Sequence, residues 1–234
     1  MRSRTGNVAA RATFSSYNGK TETAGTLLSE DKIRAVRLGL AYDGIDSLRG
    51  INLADLEYSQ GLHGLGATDR SATGSRADVP AAFRKLAFYA ARLQALAPRW
   101  SVLGAVNAQY AFTNLLAPEQ FAYGGEQFGR AYDAAELLGD HGLAGKLELR
   151  FNDRGGWLLR DYMLYAFYDL GQIWRRTPQP GEDREQAAEA AGLGWRFNLQ
   201  GGVRGFVEGA VPNRTVAAEG NRHARLFAGV QVNF

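Results

Sequence analysis

The chain has 234 residues, 29 Gly, no Cys and a formal net charge of +3. The lack of Cys excludes a disulfide framework and thiolate metal sites, and no run of Lys or Arg is long enough for a nucleic-acid arm. No apolar run approaches the roughly 18 residues that a spanning helix needs, and the start, MRSRTGNVAARATF, lacks the apolar core of a signal peptide.

The periodicity points away from a soluble helical protein. Taken in chain order, period-two alternation predicts ten strands, near 6–17, 31–43, 48–60, 81–95, 99–113, 142–152, 156–171, 187–198, 201–212 and 222–234. In the fifth, Val102, Gly104, Val106, Ala108, Tyr110 and Phe112 alternate with Ser101, Leu103, Ala105, Asn107, Gln109 and Ala111. In the sixth, Leu143, Gly145, Leu147, Leu149 and Phe151 alternate with Ala144, Lys146, Glu148 and Arg150. Successive side chains of a strand point to opposite faces, so each segment has an apolar and a largely polar face. Two stretches are ambiguous. AAFRKLAFYAARLQAL also reads as an amphipathic helix, but its place between a long connection and a short one favours a strand with Arg92 and Gln94 on the polar face. EDREQAAEAAGLGW has a helix-like start, assigned here to a surface loop leading into a strand.

Several predicted strands run 11 to 15 residues. Strands of soluble proteins usually run about 5 or 6, whereas a tilted strand crossing a bilayer needs about 9 to 11. Short connections near 44–47, 96–98, 153–155 and 199–200 alternate with longer ones at 18–30, 61–80, 114–141, 172–186 and 213–221. Outer-membrane barrels sort their turns and loops in this way, and a soluble antiparallel β domain has no reason to. The expected fold class is therefore all-β, an antiparallel transmembrane β-barrel. Its polar face, with Arg92, Gln94, Asn107, Gln109, Lys146, Glu148, Arg150 and Asp161, would line a wet lumen.

The long segment at 114–141 carries the tip GGEQFGRAYD, in which Arg130 follows Gly129 and sits between the aromatics Phe128 and Tyr132. Gly125 and Gly129 allow sharp turns there. His63 and His141 fall in predicted surface loops, the latter beside Asp140, and with His223 they form no evident nucleophile or metal constellation. The chain ends on Phe234, with Gly229, Val232 and Phe234 spaced G-x-x-V-x-F on an amphipathic last strand.

From about residue 81 onward the sequence resembles the barrel part of the two-partner secretion transporters (the TpsB, or ShlB/FhaC/HecB, family), within the superfamily of the barrel assembly protein BamA. FAYGGEQFGRAYD followed by LLGDHGLAGKLELRF is similar to the family's long loop six and the strand after it. YAFYDLGQIW is similar to its aromatic-x-Asp-x-Gly strand, which places Phe167, Asp169 and Gly171 in that motif, and AAGLGWRF and the terminal Phe follow in order. The first 80 residues match only as generic barrel strands.

The resemblance implies that the loop folds back into the lumen and that its Arg130 pairs with Asp169 of the later strand. Here the tip reads G-R-A-Y where the family has V-R-G-[YF], so a tip needing positive φ at Ala131 would be strained. It further implies a sixteen-stranded barrel, of which residues 1–234 would be a C-terminal fragment, strands seven to sixteen, lacking the first six strands, the plug helix, the POTRA domains and the signal sequence. The ten strands closing end to end is the alternative. The implied function is an outer-membrane pore of a Gram-negative bacterium that secretes an unfolded partner exoprotein of hemolysin or adhesin type, gated by the loop. The implied partners are that exoprotein, membrane lipid and the barrel assembly machinery, for which Gly229, Val232 and Phe234 would be the signal. No cofactor, metal or catalytic residue is implied. A BamA-type assembly factor is the second reading, and a ten-stranded outer-membrane protease the third.

Overall fold

The computed structural model describes residues 6–213 and 223–233. Ten long strands form one antiparallel sheet in which every strand pairs with its neighbours along the chain. They are β1 (Gly6–Thr23), β2 (Thr26–Ile45), β3 (Ile51–Gly61), β4 (Arg84–Ala97), β5 (Trp100–Ala111), β8 (His141–Arg154), β9 (Leu159–Trp174), β10 (Glu185–Leu199), β11 (Val203–Pro212) and β12 (Arg225–Val232). Two three-residue strands, β6 (Phe121–Tyr123) and β7 (Leu137–Gly139), pair with each other inside the segment between β5 and β8. The described residues of β1 and β12 are the two edges of the sheet and do not pair with one another, so it does not close end to end.

Alternation sets the two faces. On the outer face Leu38, Leu40, Phe88, Leu147, Leu164, Tyr168, Leu170, Leu193 and Val230 are all exposed. Trp100 packs against Phe151, and Trp195 against Phe197, on the same face toward the short-turn end. Such an apolar band edged by aromatics is how a barrel meets lipid. The inner face is polar and, on β8 to β11, carries the buried charges Glu148, Asp169 and Glu208.

The structure departs from the sequence reading in three places. The first long connection is not a loop: β1 and β2 continue to a two-residue turn at Ala24 (φ 49°) and Gly25 (φ 79°). Two positive-φ residues in succession give the turn that matches strand twist. Apart from Leu27 and Leu28, which as neighbours fall on opposite faces, the segment is polar, so its period of two carries no hydrophobic signal. β2 meets β3 only from Ala35 onward; above that point it pairs with β1 on one side, and on the other Glu30 and Lys32 make backbone hydrogen bonds with Thr73 and Thr68 of the connection after β3.

Second, Arg92 and Gln94 do not line the lumen. Arg92 pairs across from Gly104 and Asn52, whereas Tyr89 and Ala91 pack on the lumen cluster. Both side chains therefore lie on the outer face near the short turns, where Arg92 is held by Asp46, Asn52 and Gln94. A strand with Ala and Leu on both faces, and a cation on each (Lys85 on one, Arg92 on the other), offers no hydrophobic contrast to fix its sidedness. Third, the strand after the helix-like start begins at Glu185, two residues earlier than expected, because β10 pairs with β9 from that residue; the residues before it form the expected loop.

The face assignment has a direct consequence. Leu147→Arg, at the centre of the outer band, should destabilise the protein in lipid vesicles by about 2–4 kcal/mol. Asn152→Arg, on the lumen face, should leave urea unfolding of the vesicle-embedded protein nearly unchanged.

Candidate functional site

The 112–140 segment does not run over the surface; it packs along the inner face. Its tip is shaped by three glycines with positive φ, Gly124 (116°), Gly125 (95°) and Gly129 (87°). The tip closes on itself: the Gly124 amide donates to the Phe128 carbonyl, and the Gly125 amide to the carbonyls of Gly129 and Tyr132. Ala131 is buried and is not among the residues with positive φ, so the Ala that replaces the family's Gly sits without that strain.

The curled tip presents Arg130, 4% exposed, to the wall. Its Nε donates to Asp169 Oδ2 at 2.9 Å and its Nη2 to Asp169 Oδ1 at 2.7 Å, a bidentate fork. Its Nη1 donates to Glu148 at 2.8 Å and Glu208 at 3.2 Å. The backbone amides of Gly129 and Arg130 both reach Asp169 Oδ2 at 3.2 Å. Beneath the guanidinium lies the Phe167 ring, 3.4 Å from Cζ to centroid, so Phe167 adds a cation–π contact. Burial works against the Arg130 charge, but the hydrogen bonds and charge of Asp169 outweigh it and hold the proton more firmly than usual. The carboxylates come from β8, β9 and β11, so one loop side chain ties together strands that are not all neighbours.

Aromatic rings fill the rest. Tyr123 is fully buried, and a Cβ on Gly171 would lie 2.2 Å from its ring, on Gly129 2.7 Å. Gly171 is thus the flat spot on β9 against which Tyr123 rests. The Tyr132 hydroxyl donates to the Glu189 carbonyl at 2.7 Å. Phe128 stacks edge-on with Tyr89 and lies under the Lys146 ammonium, 5.2 Å from the ring centroid.

Two further anchors hold the segment, and sequence reasoning did not find them. Glu119, in a 3-10 turn at Ala117–Glu119, meets Arg37 of β2 at 2.5 Å and Lys85 of β4 at 2.9 Å. Burial disfavours its charge, but Lys85 and Arg37 outweigh burial and keep the carboxyl below the ordinary range. Asp140, read from the sequence as a surface-loop residue, is fully buried. It accepts from Arg76 and from the amides of Leu115 and Arg176, joining three long connections. His141 opens β8, and its Nδ1 accepts from the Ala111 amide. His63 stays exposed beside Asp69, and His223 is exposed.

The structure therefore gathers Gly125, Phe128, Gly129, Arg130, Tyr132, Phe167, Asp169 and Gly171 into one place. Gly229 and Val232 are elsewhere, on β12; Gly229 faces the Phe206 ring and Val232 points outward. Phe234 lies outside the described residues. Glu208 and Tyr165 complete the cluster, with the Tyr165 hydroxyl donating to Glu208 at 2.7 Å. Glu208 could have been found as a carboxylate on the polar face of an alternating strand.

The Tyr123 hydroxyl is buried with no hydrogen-bond partner among the described residues. Tyr123→Phe should therefore raise stability to urea by about 1 kcal/mol. Gly171→Ala should lower it by about 1–3 kcal/mol, because the ring cannot yield into a packed wall.

Comparison with known proteins bears on the family and the fold. The family described as haemolysin secretion/activation protein ShlB/FhaC/HecB matches residues 1–197. The match takes in the first 80 residues, where the sequence showed only generic strands, and stops before β11 and β12. No curated protein matches the sequence. Among solved structures, CdiB from Escherichia coli is similar with a TM-score of 0.79 and 18% identity, over 99% of this chain and 43% of that one. This likeness carries the fold, and the chain spans less than half of CdiB's length. A family match over most of the chain decides its membership: the chain belongs to the ShlB/FhaC/HecB haemolysin secretion/activation protein family.

Proposed function

We propose that this chain forms wall and gate of a two-partner secretion pore in the outer membrane of a Gram-negative bacterium. The pore passes an unfolded partner exoprotein of haemolysin or adhesin type. The observation that carries the reading is the buried latch of Arg130 on Asp169, Glu148 and Glu208. The family is a secretion family and not an enzyme family, and the apolar outer face suits membrane lipid. On this reading the 112–140 segment occupies the route of the exported chain and has to shift for passage. Binding energy from the exoprotein would offset the latch. The amphipathic β12, with Gly229 and Val232, serves together with Phe234 as the signal read by the barrel assembly machinery.

Removing one partner of a buried ion pair costs about 3–5 kcal/mol. Arg130→Ala leaves Asp169, Glu148 and Glu208 facing one another, so the seated loop should be lost. The expected outcome is a severe fall in secretion of the partner exoprotein with the barrel still resistant to detergent unfolding at room temperature. Normal secretion by this variant contradicts the gating role. Deleting Phe234 should lower the membrane-inserted fraction without changing the behaviour of the molecules that do insert. Unchanged insertion contradicts the signal role.

A further inference from the structure

The three carboxylates around Arg130 differ in what they keep when the loop leaves. Glu148 accepts from Arg150 Nε at 2.8 Å and Nη2 at 2.5 Å, both borne by the wall. Glu208 accepts from the Tyr165 hydroxyl, also on the wall. Asp169 accepts four hydrogen bonds, from the Gly129 amide and from the Arg130 amide, Nε and Nη2. All four donors belong to the loop, and among the described residues no wall group donates to its carboxylate. Withdrawal of the loop therefore strips Asp169 alone, beside two other carboxylates.

One cation is placed to replace what is lost. Lys146 sits directly opposite Asp169 in the β8–β9 ladder, on the same lumen face. Cβ atoms of such a pair are about 4.5–5.5 Å apart, well within reach of a flexible lysine stem. With the loop seated, both Asp169 oxygens are occupied and Lys146 rests on the Phe128 ring. It forms no ion pair or hydrogen bond among the described residues.

We propose that Lys146 is the second partner of Asp169: it pairs with that carboxylate when the loop withdraws and so stabilises the withdrawn position. The proposal rests on the loop-gate reading and adds a residue to it. Two alternatives make opposite or different predictions. If Lys146 only tethers the loop through Phe128, removing it loosens the loop. If it turns to the oxygen of Glu148 that Arg130 vacates, neutralising Asp169 leaves its effect intact.

The chain has no Cys, so spin labels on Glu126→Cys and Asn152→Cys report the distance from loop tip to wall in the full chain in lipid. Arg130→Lys keeps the charge but loses the fork, which brings seated and withdrawn positions into measurable balance. In that background Lys146→Met should lower the ratio of withdrawn to seated molecules by about fivefold or more, the lower end for coupled sites. With Asp169→Asn also present, Lys146→Met should change the ratio by less than about twofold, the usual limit for independent sites. A rise or no change in the first case, or an undiminished effect in the second, overturns the proposal. If Arg130→Lys and Arg130→Ala both show only the seated distance while Lys146 is intact, the loop does not move. The gate reading then fails, and the proposal with it.

Discussion

A guanidinium cannot be taken out of water without partners, and this fold is arranged around that constraint. Arg130 is buried at a loop tip shaped by Gly and aromatic residues, and it meets three carboxylates from three strands. A desolvated charge that lost these partners would be strongly unfavourable. The same holds in reverse for Asp169, fully buried on β9 with the loop's Arg130 as its ion-pair partner. Loop and wall are thus each incomplete in charge without the other. The aromatic packing follows from this seat: Phe167 under the cation, Tyr123 on Gly171, and Phe128 between Tyr89 and Lys146.

The latch is one of three anchors along the same segment. Glu119 fastens its first part to β2 and β4, Arg130 its tip to β8, β9 and β11, and Asp140 its end to the neighbouring long connections. These anchors are ionic and hydrogen-bonded, and they sit among the apolar packing of Leu115, Leu116, Tyr123, Phe128 and Leu137.

The ten strands were legible because lipid on one side and a wet lumen on the other impose an alternation over ten or more residues. The loop tip was legible because Gly, Arg and aromatics in that order carry backbone and charge requirements that few other settings share. What remained hidden has physical reasons. The β1–β2 hairpin has no apolar face above the wall, so Asn18 to Glu30 read as a loop. Arg92 was placed on the wrong face because β4 has small or apolar residues on both, and its charge is satisfied locally by Asp46. Asp140 looked like a surface residue because its partners, Arg76 and the Arg176 amide, are remote in sequence. Long-range pairing of charges leaves no local periodicity to read.

The central claim is that Arg130 and Asp169 act on one another inside the lumen, and a double-mutant cycle in lipid tests it most directly. The unfolding free energies of the wild type, Arg130→Gln, Asp169→Asn and the double variant would be compared. The account predicts a coupling near the upper end of what contacting residues show, about 2–3 kcal/mol, with the double variant much less damaged than the two losses added together. Additive losses would contradict it, and would mean that the loop and the wall hold their charges separately.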